Sequence, residues 1–323
     1  MAGIWLVTGG AGFIGSNLVR ALLAEGRRVR VLDNFMTGFR ANLEEVLADI
    51  DLVEGDIRDP EACRRACSGA EVVFHQAALP SVPRSMDDPR TSFHCNTVGT
   101  HNMLMAARDG GAGRFILAAS SSAYGASEEL PKRESMPVRP MSPYAADKAC
   151  GEIYAAAFSR AFGLQTISLR YFNIFGPRQD PTNQYAGVIA AFAAAMIRGR
   201  RPTLYGDGTQ SRDFTFVRNV VHANLLAAKV PEIRGEVVNV GCGESINLND
   251  MVALFNKSLG TRLEPVYAPP RAGDVWHSLA DVAAARALLG YEPQVRFAEG
   301  LARTIDWYRW AIETGFGGWG NKP

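Results

Sequence analysis

The chain has 323 residues, with 34 Lys and Arg against 33 Asp and Glu and a net charge of +1. Charges of both signs are interspersed and no apolar run reaches membrane-spanning length, so nothing points to nucleic acid or to a bilayer as partner. Five cysteines occur without a C-x-x-C pair or a His-Cys cluster, which argues against structural zinc and for a reduced, cytoplasmic setting.

The length suits two lobes better than one core. Met1-Ala2-Gly3 runs directly into an apolar segment, so no secretory leader is expected. That segment, Ile4-Trp5-Leu6-Val7, ends in Thr8-Gly9-Gly10-Ala11-Gly12-Phe13-Ile14-Gly15, and Leu18, Val19, Leu22 and Leu23 follow at helical spacing. Strand, glycine turn and helix in that order make a dinucleotide cradle. One glycine turns the chain, one lets backbone approach a diphosphate, and one lets helix and strand pack closely.

A second apolar run, Arg28–Leu32, ends in Asp33, where a carboxylate suits ribose hydroxyls and repels a 2′-phosphate. NAD is therefore favoured over NADP, with Arg40 a little further on as a countervailing charge. A third strand is expected over Asp51–Ile57, its end carrying Asp56 to an adenine amino group. Cys63 and Cys67 share one helical face and read as partly buried side chains. Val72–Phe74 is a buried run followed by His75, Gln76, Ala77 and Ala78, small residues suited to close approach by a cofactor. His75 itself reads as a packed or hydrogen-bonded strand-end histidine. Phe115–Ala119 is another such run, and it delivers Ser120, Ser121 and Ser122. Strands alternating with helices predict an α/β fold, a doubly wound parallel sheet of the Rossmann type with a second, smaller α/β substrate lobe.

Tyr144 and Lys148 stand four residues apart, so on a helix they share a face. A cation beside the phenol favours phenolate, and a tyrosine tuned that way takes a proton from a hydroxyl while hydride leaves the same carbon. An isolated Tyr-x-x-x-Lys is usually an ordinary surface pair; the dinucleotide cradle upstream reverses that reading.

Taken together, T-G-G-A-G-F-I-G, the serine stretch before Tyr124-Gly125, S-P-Y-A-A-D-K, R-Y-F-N-I-F-G-P-R-Q-D-P and the late R-A-G-D-V resemble the extended short-chain dehydrogenase/reductases. Within that superfamily they resemble the NAD-dependent nucleotide-sugar epimerases of the UDP-galactose 4-epimerase type, over residues 4 to about 312. The resemblance implies Tyr144 as catalytic base, Lys148 as its tuning partner and nicotinamide-ribose ligand, Ser120 as the catalytic hydroxyl and Ser121 as its helper. On the cofactor side it implies Gly9, Gly12, Phe13, Ile14, Gly15, Asp33, Asn34, Asp56, Ile57, Gln76, Ala77, Ala78 and Asn96, with Tyr171 and Phe172 against the nicotinamide. On the substrate side it implies Ser81, Arg84, Asn173, Val188, Tyr205 and, for the diphosphate and ribose, Arg212, Arg271 and Asp274. Two arginines on a diphosphate is sound chemistry, because guanidinium forks match phosphate oxygens.

Dehydratases of this superfamily carry Asp-Glu or Glu after the catalytic hydroxyl; Ser121 and Ser122 occupy those places here, which argues against dehydration and weakens decarboxylation. Counting seven residues on from Arg271 puts the gate for the sugar's carbon 2 substituent at Ser278, small enough to admit an acetamido group. The stretch Ser81-Val82-Pro83-Arg84-Ser85 also resembles the subgroup that prefers UDP-N-acetylglucosamine, and UDP-glucuronate is the competing substrate, with Arg84 as a charge for its carboxylate. His277 is left outside the catalytic set, and Trp276 is assigned to lobe packing.

Residues 1–170 with 212–242 are expected to form the NAD-binding domain and residues 171–211 with 243–312 the UDP-sugar domain. Residues 313–323 form a tail that frays unless its aromatics dock. A homodimer is implied by the resemblance, through helices beginning near Asn96 and Tyr144.

Overall fold

The structure is a computed structural model that describes residues 3–180, 187–270 and 276–321. Strands β1 (Ile4–Thr8), β2 (Arg28–Asp33), β3 (Ile50–Glu54), β4 (Ala70–His75), β5 (Arg114–Ser120) and β6 (Gln165–Tyr171) are joined by Glu236–Val240 in one seven-stranded sheet. Every pairing in it is parallel, and the order across it is Glu236–Val240, β6, β5, β4, β1, β2, β3. The chain therefore winds outward one way through β2 and β3 and the other way through β4, β5 and β6. The reversal falls between β1 and β4, which is where ligands of such sheets sit.

The strands read as unbroken apolar runs because helices cover both faces. One face packs Leu18, Val31, Phe74, Ile116 and Leu169 into a single core; the other packs Leu6, Leu32, Cys63, Val73, Phe115 and Phe158. Cys63 and Cys67 are both buried there, and burial pushes each thiol up to about 12, so they pack and do not react. The helix Val217–Lys229 and the strand Glu236–Val240 return to this sheet after the chain has left it.

A third core lies beyond the sheet. It is built of Phe175, Phe192, Phe214, Phe216, Phe255, Phe297 and Tyr308, drawn from short strands and from the helices Val188–Met196, Leu248–Leu259 and Phe297–Thr314. Its strands come in pairs only: Ile174–Phe175 with Thr215–Phe216, Ser211–Arg212 with Ile246–Asn247, and Thr203–Tyr205 with Val266–Ala268. The segment Phe316–Asn321 follows the last helix as tight turns. Phe316 stacks against Trp307 and Trp310, with ring centroids 5.6 and 5.4 Å away. Among the described residues no helix is long and apolar enough to cross a membrane.

Candidate active site

A cleft of about 310 Å³ opens beside the carboxyl ends of β1, β2 and β4. Gly9, Gly12, Phe13, Ile14 and Gly15 line it, together with Asp33, Asn34, Asp56, Ile57, Gln76, Ala77, Ala78 and Ser81. The glycine turn is sterically obligatory at two places. Gly9 has φ +69°, and a Cβ there would sit 2.8 Å from the backbone of Ala77; a Cβ on Gly15 would sit 2.1 Å from the Gly9 carbonyl. The helix Phe13–Ala24 that follows has Gly12 as N-cap, with no side-chain cap and no acidic residue in its first turn. Its first N–H groups and the positive end of its dipole thus suit an anion.

Asp33 closes the adenosine end. Its carboxylate accepts the Ala11 N–H at 2.9 Å and the Phe35 N–H at 2.8 Å, so it fixes the glycine turn as well as facing the cleft. Burial pushes its pKa up against those two hydrogen bonds. Asn34 donates to Asp56 at 2.7 Å, and Arg58 grips the same carboxylate and holds its pKa down. Backbone N–H groups for a diphosphate, a carboxylate with spare lone pairs for a ribose and small residues along β4 form a donor set that fits a dinucleotide.

Three of the expected cofactor residues take part differently from the sequence reading. Asn96 is buried behind the wall, accepting the Leu79 N–H at 2.7 Å and donating to the Leu79 carbonyl at 3.1 Å, so it holds the cleft's backbone in place. Phe172 is fully buried with its ring 6.2 Å from that of Tyr124, because successive residues of an extended chain face opposite ways. Tyr171 faces the other way and closes a ring of hydrogen bonds: its hydroxyl donates to Gln76 at 3.2 Å and accepts from Asn224 at 2.8 Å, while Gln76 donates to Asn224 at 3.1 Å.

Ser120 ends β5, and the expected catalytic residues Tyr144 and Lys148 stand on the helix Pro143–Phe162 beside it. Ser142 caps the helix Pro143–Phe162 by accepting the Ala145 N–H at 3.2 Å, and Pro143 follows at its first turn. Tyr144 and Lys148 then share a face, as their spacing requires. Tyr144 is hydrogen-bonded to Ser120, which draws its pKa down, but burial outweighs this and leaves the phenol above its ordinary value. The lowering expected from Lys148 is not seen: its ammonium donates to the Ala118 carbonyl at 2.8 Å, and burial lowers its own pKa to about 8. The hydroxyl that assists Ser120 is that of Ser122, which donates to the Ser120 oxygen at 2.8 Å while its N–H donates at 3.2 Å. Ser121, the helper implied by resemblance, stands first in the tight turn Ser121–Tyr124, and it is Ser122, one residue on, that bonds Ser120. His75 bonds Thr8 at 2.8 Å and Thr100 at 3.0 Å and burial drops its pKa to about 3, the strand-end packing role expected of it.

The expected substrate residues gather from separate segments. Ser81 caps the short helix Val82–Asp87 that carries Arg84, and Ser85 in that helix accepts the Tyr144 N–H at 3.1 Å. Asn173, held at φ +35°, donates to the Ser278 hydroxyl at 3.2 Å and to the Asp213 carbonyl at 2.9 Å. Arg212 donates to the Trp276 carbonyl at 2.9 Å, and His277 pairs with Ser211 at 2.8 Å. Tyr205 ends its strand half-exposed, and Val188 opens the helix after Gly187. Trp276 is 44% exposed and, with Tyr267, walls a second shallow cleft, so it does not serve as buried lobe packing. Arg271 and Asp274 lie outside the described residues.

Asp213 was not singled out by sequence, yet it ties this half together. Its carboxylate accepts N–H bonds from Cys242 at 2.8 Å, Gly243 at 2.9 Å and Ala280 at 3.1 Å, and burial lifts its pKa to about 6. Among the described residues no cluster of His, Cys, Asp and Glu is arranged to hold a metal.

Residues 5–241 match the family model of the NAD dependent epimerase/dehydratase family. The UDP-glucose 4-epimerase of Mycolicibacterium smegmatis is 40% identical over 94% of this chain and 98% of its own. Among solved structures, the UDP-glucose 4-epimerase of Thermotoga maritima, determined with UDP-glucose, superposes with a TM-score of 0.91 at 38% identity over 96% of this chain and 99% of its own. The UDP-N-acetylglucosamine 4-epimerase of Methanobrevibacter ruminantium, determined with UDP-N-acetylmuramic acid, also reaches 0.91, at 35% identity over 95% of this chain and 98% of its own.

Proposed function

Because the chain belongs to the NAD dependent epimerase/dehydratase family, we propose that it inverts carbon 4 of a UDP-hexose, interconverting UDP-N-acetylglucosamine and UDP-N-acetylgalactosamine, with UDP-glucose and UDP-galactose as further substrates. The observation that carries this reading is the meeting of Ser120, Tyr144 and Lys148 beside a dinucleotide cleft, with the small Ser278 bonded to Asn173.

NAD, when bound, accepts a hydride from carbon 4 and returns it to the opposite face. Tyr144, as phenolate, takes the proton from the carbon 4 hydroxyl and later gives it back. Ser120 has one hydrogen, turned toward the reacting oxygen or the phenolate, because its oxygen already accepts the N–H and the hydroxyl of Ser122. Lys148 supplies a positive charge on the same helix face and binds the nicotinamide ribose. Arg212 and Arg271 hold the diphosphate while the 4-keto sugar turns about it, so proton and hydride both return and no net oxidation occurs. Gln76, fixed by Tyr171 and Asn224, borders the channel.

Ser278 supports the acetylated pair by volume: a serine leaves space beside carbon 2 that a tyrosine would fill. The two domains assigned from sequence would close on the UDP-sugar between them, where such ligands usually lie. A homodimer is supported by the outward face of the helix Pro143–Phe162, where Ile153 is 67% and Tyr154 42% exposed.

The test is proton NMR of purified protein incubated separately with UDP-N-acetylglucosamine and UDP-glucose. The galacto isomer of the acetylated sugar is the expected product. Conversion of UDP-glucose alone would keep the epimerase and discard the open gate. Conversion of neither, with turnover of UDP-glucuronate instead, would replace the substrate assignment.

A further inference from the structure

Among the described residues Arg178 is the arginine that lines the cleft, and neither the resemblance nor the proposed chemistry gives it a role. Its backbone is left-handed, with φ +72°, a conformation that is strained for a non-glycine residue and tends to persist where a ligand site needs it. Among the described residues four non-glycine residues have positive φ, and Ser81 and Arg178 both line the cleft while Phe35 lies between two residues that do. The strained turn is anchored to the diphosphate cradle itself, because Asn17 of the helix Phe13–Ala24 donates to the Pro177 carbonyl at 3.1 Å.

The side chain is poorly satisfied by the protein. It is only 16% exposed, and its Nε is buried with no acceptor among the described residues. A terminal nitrogen lies 3.6 Å from Glu45, a long pairing to a carboxylate that already takes Arg20 at 2.9 Å. Two guanidinium groups thus share one largely exposed carboxylate. Burial and the Arg20 charge together lower the pKa of Arg178 to about 10. A buried cation left this way is expensive unless an anion completes it. The cleft it lines also contains a glycine turn and a helix N-terminus without cap or acidic side chain, an independent mark of an anion site.

We infer that Arg178 clamps the diphosphate of the bound dinucleotide, its guanidinium completing the anion site begun by the N–H groups of the glycine turn. The inference rests on the family's cofactor and not on the choice of sugar. It also explains why the turn after Gly176-Pro177 tolerates a strained arginine: the backbone conformation aims a fork-shaped donor set that a lysine would not match.

The experiment measures binding and not turnover. NADH is titrated by fluorescence, and ADP-ribose, adenosine and UDP are then used to compete with it, for the natural chain, Arg178→Gly and Arg178→Lys. Glycine removes the guanidinium and relieves the left-handed backbone, so the thermal midpoint of the dinucleotide-free variant should be unchanged or higher, which separates lost binding from lost folding. Affinity for NADH and ADP-ribose is expected to fall roughly 10- to 100-fold in Arg178→Gly and less in Arg178→Lys, with adenosine unaffected. Unchanged NADH affinity in Arg178→Gly overturns the inference. So does a loss confined to UDP, which would put the arginine on the substrate's diphosphate.

Discussion

The two halves of the site are made differently. The proposed proton-transfer residues sit on the seven-residue strand β5 and the 20-residue helix Pro143–Phe162, whose packing faces are buried. The substrate half is assembled from paired strands of two or three residues, with Tyr205 and Trp276 partly in solvent. Long buried elements fix atoms to the tolerance that chemistry demands, whereas short exposed strands can change side chains without disturbing a core. On the proposed reading, that difference would let one trio serve several sugars while residues such as Ser278 select among them.

The comparison breaks most sharply at Tyr144. Replacing it with Phe removes only the phenolic oxygen, and turnover is expected to drop at least about 10²- to 10⁴-fold with NADH binding intact. Turnover near the natural rate would remove the tyrosine from the mechanism. The rigidity of the same half is tested at Glu152, whose carboxylate takes a fork of hydrogen bonds from Arg170 at 2.9 and 2.8 Å with both side chains about 95% buried. Glu152→Gln leaves a buried guanidinium uncompensated and is expected to cost about 3–5 kcal/mol in urea unfolding, a loss no surface ion pair here would match.

The substrate half should respond in selectivity and not in stability. Ser278→Tyr is expected to lower kcat/KM for the acetylated sugar relative to UDP-glucose by roughly 10- to 100-fold, with little change in unfolding midpoint. Equal losses on both sugars would mean that position 278 does not sense carbon 2. A finer test uses pH. Ser120 draws the Tyr144 pKa down, and with the phenolate as the proposed base, activity is expected to rise with pH as the phenol ionises. Ser120→Ala removes the donor, raises that pKa and should move the rising limb of the residual kcat profile to higher pH; a limb that stays put would detach Ser120 from the phenol.

Much of the first half is legible in the linear chain because its signals are local. A glycine turn between an apolar run and a helical period, an acid at the end of the next run, and a Tyr and Lys four apart are each written in a short stretch of chain. The parallel sheet follows from the alternation. What the sequence hides is what long-range packing decides. Which way Phe172 faces depends on the strand beside it, and whether Ser121 or Ser122 reaches Ser120 depends on one tight turn. The Gln76–Tyr171–Asn224 ring joins residues up to 148 positions apart, and no spacing rule signals it. Asp213 follows Arg212 and Arg178 stands inside the R-Y-F-N-I-F-G-P-R-Q-D-P run, but only burial and hydrogen bonding set them apart: Asp213 accepts three backbone N–H groups, and the Arg178 Nε has no acceptor among the described residues.

The most direct measurement of the central claim is epimerisation run in deuterium oxide and followed by NMR. Direct hydride return between the faces of carbon 4, with Tyr144 handling only the hydroxyl proton, predicts a galacto product with ordinary hydrogen at carbon 4. Deuterium at carbon 4 would mean that the base removes a carbon-bound proton, and the roles given to Tyr144 and Lys148 would fall.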